Sequence, residues 1–195
     1  MHLNKDTFEK RVKMTTEHSN FNIVRRLILL ITVVFTCIMC DQNTKTAAVK
    51  HLSGSEAVNY GSLQLIYAEN DAGLMGSGTA LESEWKFWVF RYGIALFLIL
   101  LVVYTISTRR YGPLEVASLA LVIGGGSSNL IDRFSNNGMV IDFLNLRIGH
   151  MRDAVFNYAD IAIVMGVFFL LSDRLSKAIA RCVKRPPSIS SGTVK

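Results

Sequence analysis

Asn157-Tyr158-Ala159-Asp160-Ile161-Ala162-Ile163-Val164-Met165-Gly166-Val167-Phe168-Phe169-Leu170-Leu171-Ser172 sets the class of this molecule. Only Ile161 to Ser172 is free of charge. At about 1.5 Å per residue that stretch makes about 18 Å of helix, too short for a hydrocarbon core of about 30 Å. A spanning helix must therefore begin near Ala154 and carry Asp160 within it. A carboxyl at that depth is costly, so it marks a functional site by default. Asn157, three residues earlier, shares its helical face and can donate a hydrogen bond to Asp160 or organise a neighbour. The structural alternative is an Asp that starts a helix.

Working outward, three more apolar runs accompany this one. Leu27–Cys40 must continue through Asp41 and Lys45 towards His51 to be long enough. Tyr92–Thr108 follows an aromatic belt of Trp85, Phe87, Trp88, Phe90 and Tyr92. Val116–Ile131 is stopped by Asp132 and Arg133. The composition agrees: of 195 residues 50% are hydrophobic and 18% charged, and the mean hydropathy is +0.33, which excludes a disordered chain and argues against a soluble globule. The net charge of +6 is arranged as blocks, with six Lys or Arg in residues 1–26, Arg109-Arg110 between two runs, and six from Arg174 onward. That pattern places both termini in the cytoplasm and leaves no nucleic-acid surface. The expected fold class is an all-α membrane protein of four transmembrane helices. Its parts are a basic cytoplasmic extension (1–26), a membrane domain (27–172) with outer loops at about 53–83 and 134–153, and a basic, disordered cytoplasmic tail (173–195). Alternation in Leu63-Gln64-Leu65-Ile66-Tyr67, between Gly61 and Gly73, predicts short strands outside. Arg25-Arg26, an apolar run and Cys40 imitate a cleaved lipoprotein signal, but Ile38 and Met39 are too large for its cleavage site and the first span stays.

Candidate chemistry is carboxylate chemistry. Cys37, Cys40 and Cys182, and four scattered histidines, form no ligand pattern, so neither metal nor cofactor is expected. Gly124-Gly125-Gly126 lacks the lysine of a phosphate loop and sits inside an apolar helix; Ala120, Gly124 and Ser128, recurring every fourth residue, form a small-residue stripe for helix packing. Asp142 stands in Val140-Ile141-Asp142-Phe143-Leu144, flanked by apolar residues, where it either dips towards the membrane surface or ends a strand. Two carboxylates brought together from different segments can share one proton, as aspartic proteolysis requires. Asp41 and Lys45 are i,i+4 and read as a buried salt bridge. Asp132 reads as structural, and Arg133 can pair with it or reach lipid phosphate. Buried carboxylates serve proton- or ion-coupled transporters as well.

Five ordered blocks then point to a family: Asp41-Gln42-Asn43-Thr44-Lys45; Glu69-Asn70; Gly124-Gly125-Gly126-Ser127-Ser128-Asn129-Leu130-Ile131-Asp132-Arg133; Val140-Ile141-Asp142-Phe143; and Phe156-Asn157-Tyr158-Ala159-Asp160. Together they resemble the lipoprotein signal peptidases, or signal peptidase II, over about residues 27 to 172. The resemblance implies an aspartic endopeptidase of the bacterial inner membrane that cleaves prolipoproteins before a diacylglyceryl cysteine, with its site near the outer face. It places the catalytic pair on Asp142 and Asp160. Substrate binding and site support fall on Asp41, Lys45, Asn70, Asn129, Asp132, Arg133 and Asn157. It also implies a small extracytoplasmic β-sheet that cradles the substrate, contact with membrane lipid, and binding of the family's cyclic peptide inhibitors. The chain departs from the family pattern after Asn70, where Asp71-Ala72-Gly73 stands in place of Gly and Ala at the second and third positions.

Overall fold

The computed structural model describes residues 23–71, 85, 87–108, 111–147 and 154–183. The chain runs α1 (Ile23–Leu52), β1 (Val58–Tyr60), β2 (Leu63–Asn70), a π-helical turn (Trp88–Gly93), α2 (Ile94–Ser107), α3 (Pro113–Ser135), β3 (Val140–Leu146), β4 (Ala154–Phe156) and α4 (Tyr158–Val183). As its short uncharged run required, α1 continues through Asp41 and Lys45 to Leu52. Among the described residues, three helical segments, Ile23–Leu52, Trp88–Ser107 and Pro113–Ser135, are long and apolar enough to cross a membrane. The 26 residues of α4 reach about 39 Å. Asp160, Asp173, Arg174 and Lys177 bracket its apolar stretch.

Two boundaries differ from expectation. Ala154–Phe156 is not the start of the last helix but a strand paired with β3, Leu144 facing Phe156. A short apolar run does not reveal its own period, and here the neighbouring strand decides it. At the other end, α4 passes Ser172 and continues to Val183, so the segment assigned to a disordered tail begins as helix. Asp173 and Lys177, i,i+4 and 2.7 Å apart, support that extension, and Lys177 also reaches Glu115 of α3 at 2.6 Å. The basic extension ends earlier than Arg26, which is helical and 4% exposed, its Nη2 donating to the carbonyls of Thr108 and Tyr111. Residues 1–22 and 184–195 lie outside the described residues.

α3 is the centre of the bundle. More than half (56%) of its apolar window is buried inside the protein, against 11% for α1 and for the Trp88–Ser107 segment. Successive residues of a helix turn by about 100°, so Gly124, Gly125 and Gly126 face three different neighbours. A Cβ at Gly124 would meet Cys37 and Val34 of α1, one at Gly125 the carbonyl oxygen of Ala159, and one at Gly126 Leu98 of α2. Absent side chains thus let three helices close on one turn; of the three glycines, only Gly124 belongs to the stripe expected from the sequence.

The four strands form one antiparallel sheet in the order β1-β2-β3-β4. It packs on the C-terminal end of α1, with Ala48 and Leu52 against Phe143, Leu144, Leu63, Leu65 and Phe156. Ala68 pairs with Asp142 and Asn70 with Val140, so Asn70 and Asp142 share a face on adjacent strands.

Candidate active site

Asn157 precedes α4 and closes its first turn. The Asp160 N–H donates to Asn157 Oδ1 at 3.0 Å, and the Asn157 N–H donates to Asp160 Oδ2 at 3.2 Å. This reciprocal pair is a capping box, which satisfies two helix-terminal donors at once. Asp160 therefore sits in the first turn of a helix rather than in the middle of one. The side-chain amide of Asn157 is spent elsewhere: its Nδ2 donates to Asp142 Oδ1 at 2.6 Å and lies 3.1 Å from Asn129 Oδ1. Asn157, wholly buried, is thus the link between the strand carboxylate and the helix carboxylate.

Each carboxylate has a second amide. Asn70 Nδ2 donates to Asp142 Oδ2 at 2.9 Å, and Asn129 Nδ2 donates to Asp160 Oδ1 at 2.9 Å. Burial pushes the Asp142 carboxyl up to about 6, against the hydrogen bond from Asn70, and the charge of Asp160 adds to the rise. A hollow of about 320 Å³ opens beside both groups, lined at one end by Leu98, Val122, Gly126 and Ile163 and at the other by Phe90 and Arg133.

Behind the carboxylates lies a buried charge network. Lys45 Nζ meets Asp41 Oδ2 at 2.6 Å, Asp132 Oδ2 at 2.8 Å and Asn129 Oδ1 at 2.8 Å. Because an ammonium only donates, Lys45 fixes the orientation of the Asn129 amide and turns its Nδ2 to Asp160. Asp41 accepts from Ser128 Oγ at 2.7 Å and from the Ala159 N–H at 2.8 Å, tying α1 to α3 and to the first turn of α4. Asp132 accepts from Gln42 Nε2 at 2.8 Å and from the Ile141 N–H at 3.2 Å, one residue before Asp142. Both carboxylates are thus held by elements that this network braces.

Asp41, Lys45, Asn70, Asn129, Asp132, Asp142, Asn157 and Asp160 all come together in this way. Arg133 departs from expectation, because Lys45 and Gln42 take Asp132. Its Nη1 donates to the carbonyl of Asn129 at 3.1 Å, its guanidinium stands 5.4 Å over the Phe90 ring, and it is 5% exposed. It therefore faces the hollow rather than lipid phosphate. Gln42, Ser128 and Arg91 were missed. Gln42 and Ser128 stand inside the quoted blocks, where a polar residue within an apolar run is the available signal. Arg91, a cation within the aromatic belt, carried the same signal. It donates from Nε to the carbonyl of Arg133 at 2.9 Å.

Comparison with known proteins agrees with this picture. The family model described as signal peptidase (SPase) II matches residues 33–176. The chain is 36% identical over 155 residues to a lipoprotein signal peptidase of Syntrophus aciditrophicus, covering 77% of this chain and 94% of that protein. It is 35% identical over 136 residues to the lipoprotein signal peptidase of Cronobacter sakazakii, covering 69% of this chain and 81% of that one. Two solved structures of a bacterial membrane enzyme, obtained by the in meso method, share the fold. One, at 1.9 Å resolution, has a TM-score of 0.66 with 24% identity and covers 81% of this chain and 97% of its own. The other, at 2.3 Å, has a TM-score of 0.64 with 23% identity and covers 76% of this chain and 88% of its own. A match over residues 33–176, together with 36% identity over 155 residues to a lipoprotein signal peptidase, makes this protein a member of the signal peptidase II family.

Proposed function

We propose that this peptidase is of the aspartic type, with Asp142 and Asp160 as its catalytic pair, and that it removes signal peptides from diacylglyceryl prolipoproteins by cutting before the lipidated cysteine. The observation that carries the reading is the meeting of a strand carboxylate and a helix carboxylate at one hollow, joined through Asn157 and each held by a further amide. Such a pair works singly protonated. The ionised carboxylate takes a proton from water as the water oxygen attacks the scissile carbonyl carbon, while the protonated one donates to the developing oxyanion. The tetrahedral intermediate then collapses: one hydroxyl proton returns to the carboxylate that donated it, the peptide C–N bond breaks, and the proton taken from water passes to the leaving amine, which restores the singly protonated pair. Arg133 and the amides of Asn70 and Asn129 support substrate binding beside the pair, and Asp41, Lys45 and Asp132 brace it. No step needs a cofactor.

The membrane placement is part of the same proposal. In this reading α4 is a fourth span, both termini are cytoplasmic, and the sheet and the carboxylates stand at the outer face of the bacterial inner membrane. A diacylglycerol on the substrate cysteine stays in lipid and presents the preceding bond at the pair, so that anchoring becomes orientation. The test is a gel-shift assay of purified protein with a lipidated precursor and its unmodified counterpart at equal micellar concentration. Cleavage of the lipidated precursor, with far slower cleavage of the other, is expected. Equal rates would remove the lipid from the recognition, and no cleavage of either would remove the function. Turnover in micelles also separates a peptidase from a transporter, which needs two compartments.

A further inference from the structure

A second hollow, of about 330 Å³, adjoins the first across Phe90. Its lining is of another kind: among the described residues, Asp71, Arg91 and the turn Asn137-Gly138-Met139 border it, with Phe87 on one side. Arg91 is built into this wall. Its Nε is held by the Arg133 carbonyl at 2.9 Å, its guanidinium lies 4.4 Å over the Phe87 ring, and its Nη2 would be 3.2 Å from a Cβ at Gly138. Gly138 has φ +98°, so another residue would be strained there and would crowd the guanidinium. Among the described residues, Nη1 and Nη2 of Arg91 have no hydrogen-bond partner. A guanidinium fixed through Nε and a ring face, with its remaining N–H groups unused, is a pre-oriented receptor for an acceptor oxygen.

The two hollows also differ in depth. Leu98 and Gly126, at one end of the first, lie about two helical turns inward of Phe90 and Arg133. The second lies at the outer ends of those helices, by the turn into β3. A peptide cut at Asp142 and Asp160 has one flank leading into the apolar side and one leaving towards water. The geometry points to the second hollow as the subsite for the residues that follow the lipidated cysteine, with Arg91 binding a carboxylate or carbonyl oxygen of that segment; this rests on the peptidase reading. Asp71 stands exposed on the same wall, where water screens it, whereas Arg91 is half-buried and held. An acidic residue just after the cysteine is therefore favoured over a basic one.

The experiment uses the full chain in micelles and three lipidated precursors that differ only in Glu, Gln or Lys at the second position after the cysteine. Wild-type protein should favour Glu over Lys by about five- to tenfold in kcat/KM, the range of one partly solvated charged hydrogen bond. Arg91→Gln should lose that preference, while Arg91→Lys, which keeps the charge without the planar fork, should keep part of it. The ratio is taken within each protein, so an overall loss of activity cancels. If Arg91→Gln fails to fold, the wild-type and Arg91→Lys ratios decide alone. A wild-type ratio near one, or one unchanged in these variants, overturns the subsite. The set is repeated in micelles containing phosphatidylglycerol. A flat peptide ratio with an Arg91-dependent response of KM to that lipid would mean that the hollow holds lipid phosphate, and would equally overturn it. Failure of wild-type protein to cut the Gln precursor counts against the peptidase reading and not against the subsite.

Discussion

Asp142 carries a titration that can be measured. With its carboxyl raised to about 6 by burial and by Asp160, the proton that a singly protonated pair requires is lost as pH rises through about 6. The value of kcat/KM, which reports the free enzyme, should fall along that limb. Substrate in the hollow excludes water and raises the limb further, so kcat should fall at higher pH than kcat/KM. Both limbs belong to the pair as a unit. Stability has the same sign: a folded-state value above the unfolded 3.8 gives a contribution complete below about pH 4 and lost as pH rises through 6. Asp142→Asn should thus unfold at a higher temperature than the wild type at pH 8, while its cleavage rate drops by several orders of magnitude. Asp160→Asn should lose activity as severely. Near-normal turnover in either variant would reject the pair. These residues were legible in the sequence because a charged or amide side chain in an apolar run has to be explained. The partner chosen by Arg133 was not legible, since it depends on the rotation of α3 relative to α1, which places Lys45 and Gln42 on Asp132 first.

At the scale of elements, the closest approach decides most. A Cβ at Gly125 would collide with the carbonyl oxygen of Ala159, whose own N–H is bound by Asp41. Gly125→Ala must therefore push the first turn of α4 away from α3 and take Asp160 with it. The expected cost is about 1–3 kcal/mol of stability, as for overpacked cores, and a fall in kcat larger than that loss of folded protein explains. A thermal-shift measurement beside a cleavage assay checks both. The helices were legible in outline, because length and charge forced α1 through Asp41 and Lys45. The start of α4 was not: Ala154-Val155-Phe156 is equally apolar as helix or strand, and pairing with Leu144–Leu146 settles it. The bulge between Leu65 and Ala68 was likewise hidden, since it arises from pairing with β3.

For the whole molecule, the proposed topology has a direct check. In a background lacking native cysteines, a label that cannot cross the membrane should reach Ser55→Cys and miss Ser190→Cys in intact cells; labelling at 190 would invert or break the arrangement. The buried network sets how the molecule holds together. Lys45→Met leaves Asp41 and Asp132 buried without their cation, a loss of about 3–5 kcal/mol, read as protein that is extracted poorly and melts early. The i,i+4 placement of Asp41 and Lys45 has a further consequence, for the order of manufacture. α1 is synthesised first, whereas Ser128, Asn129 and Asp132 follow it by 84 to 90 residues. At about 5–20 residues per second, the first helix waits roughly 5–20 s before its partners exist. During that wait Asp41 and Lys45 neutralise each other within one helix, so the nascent segment can rest in the bilayer as a neutral dipole until the third helix arrives to claim it.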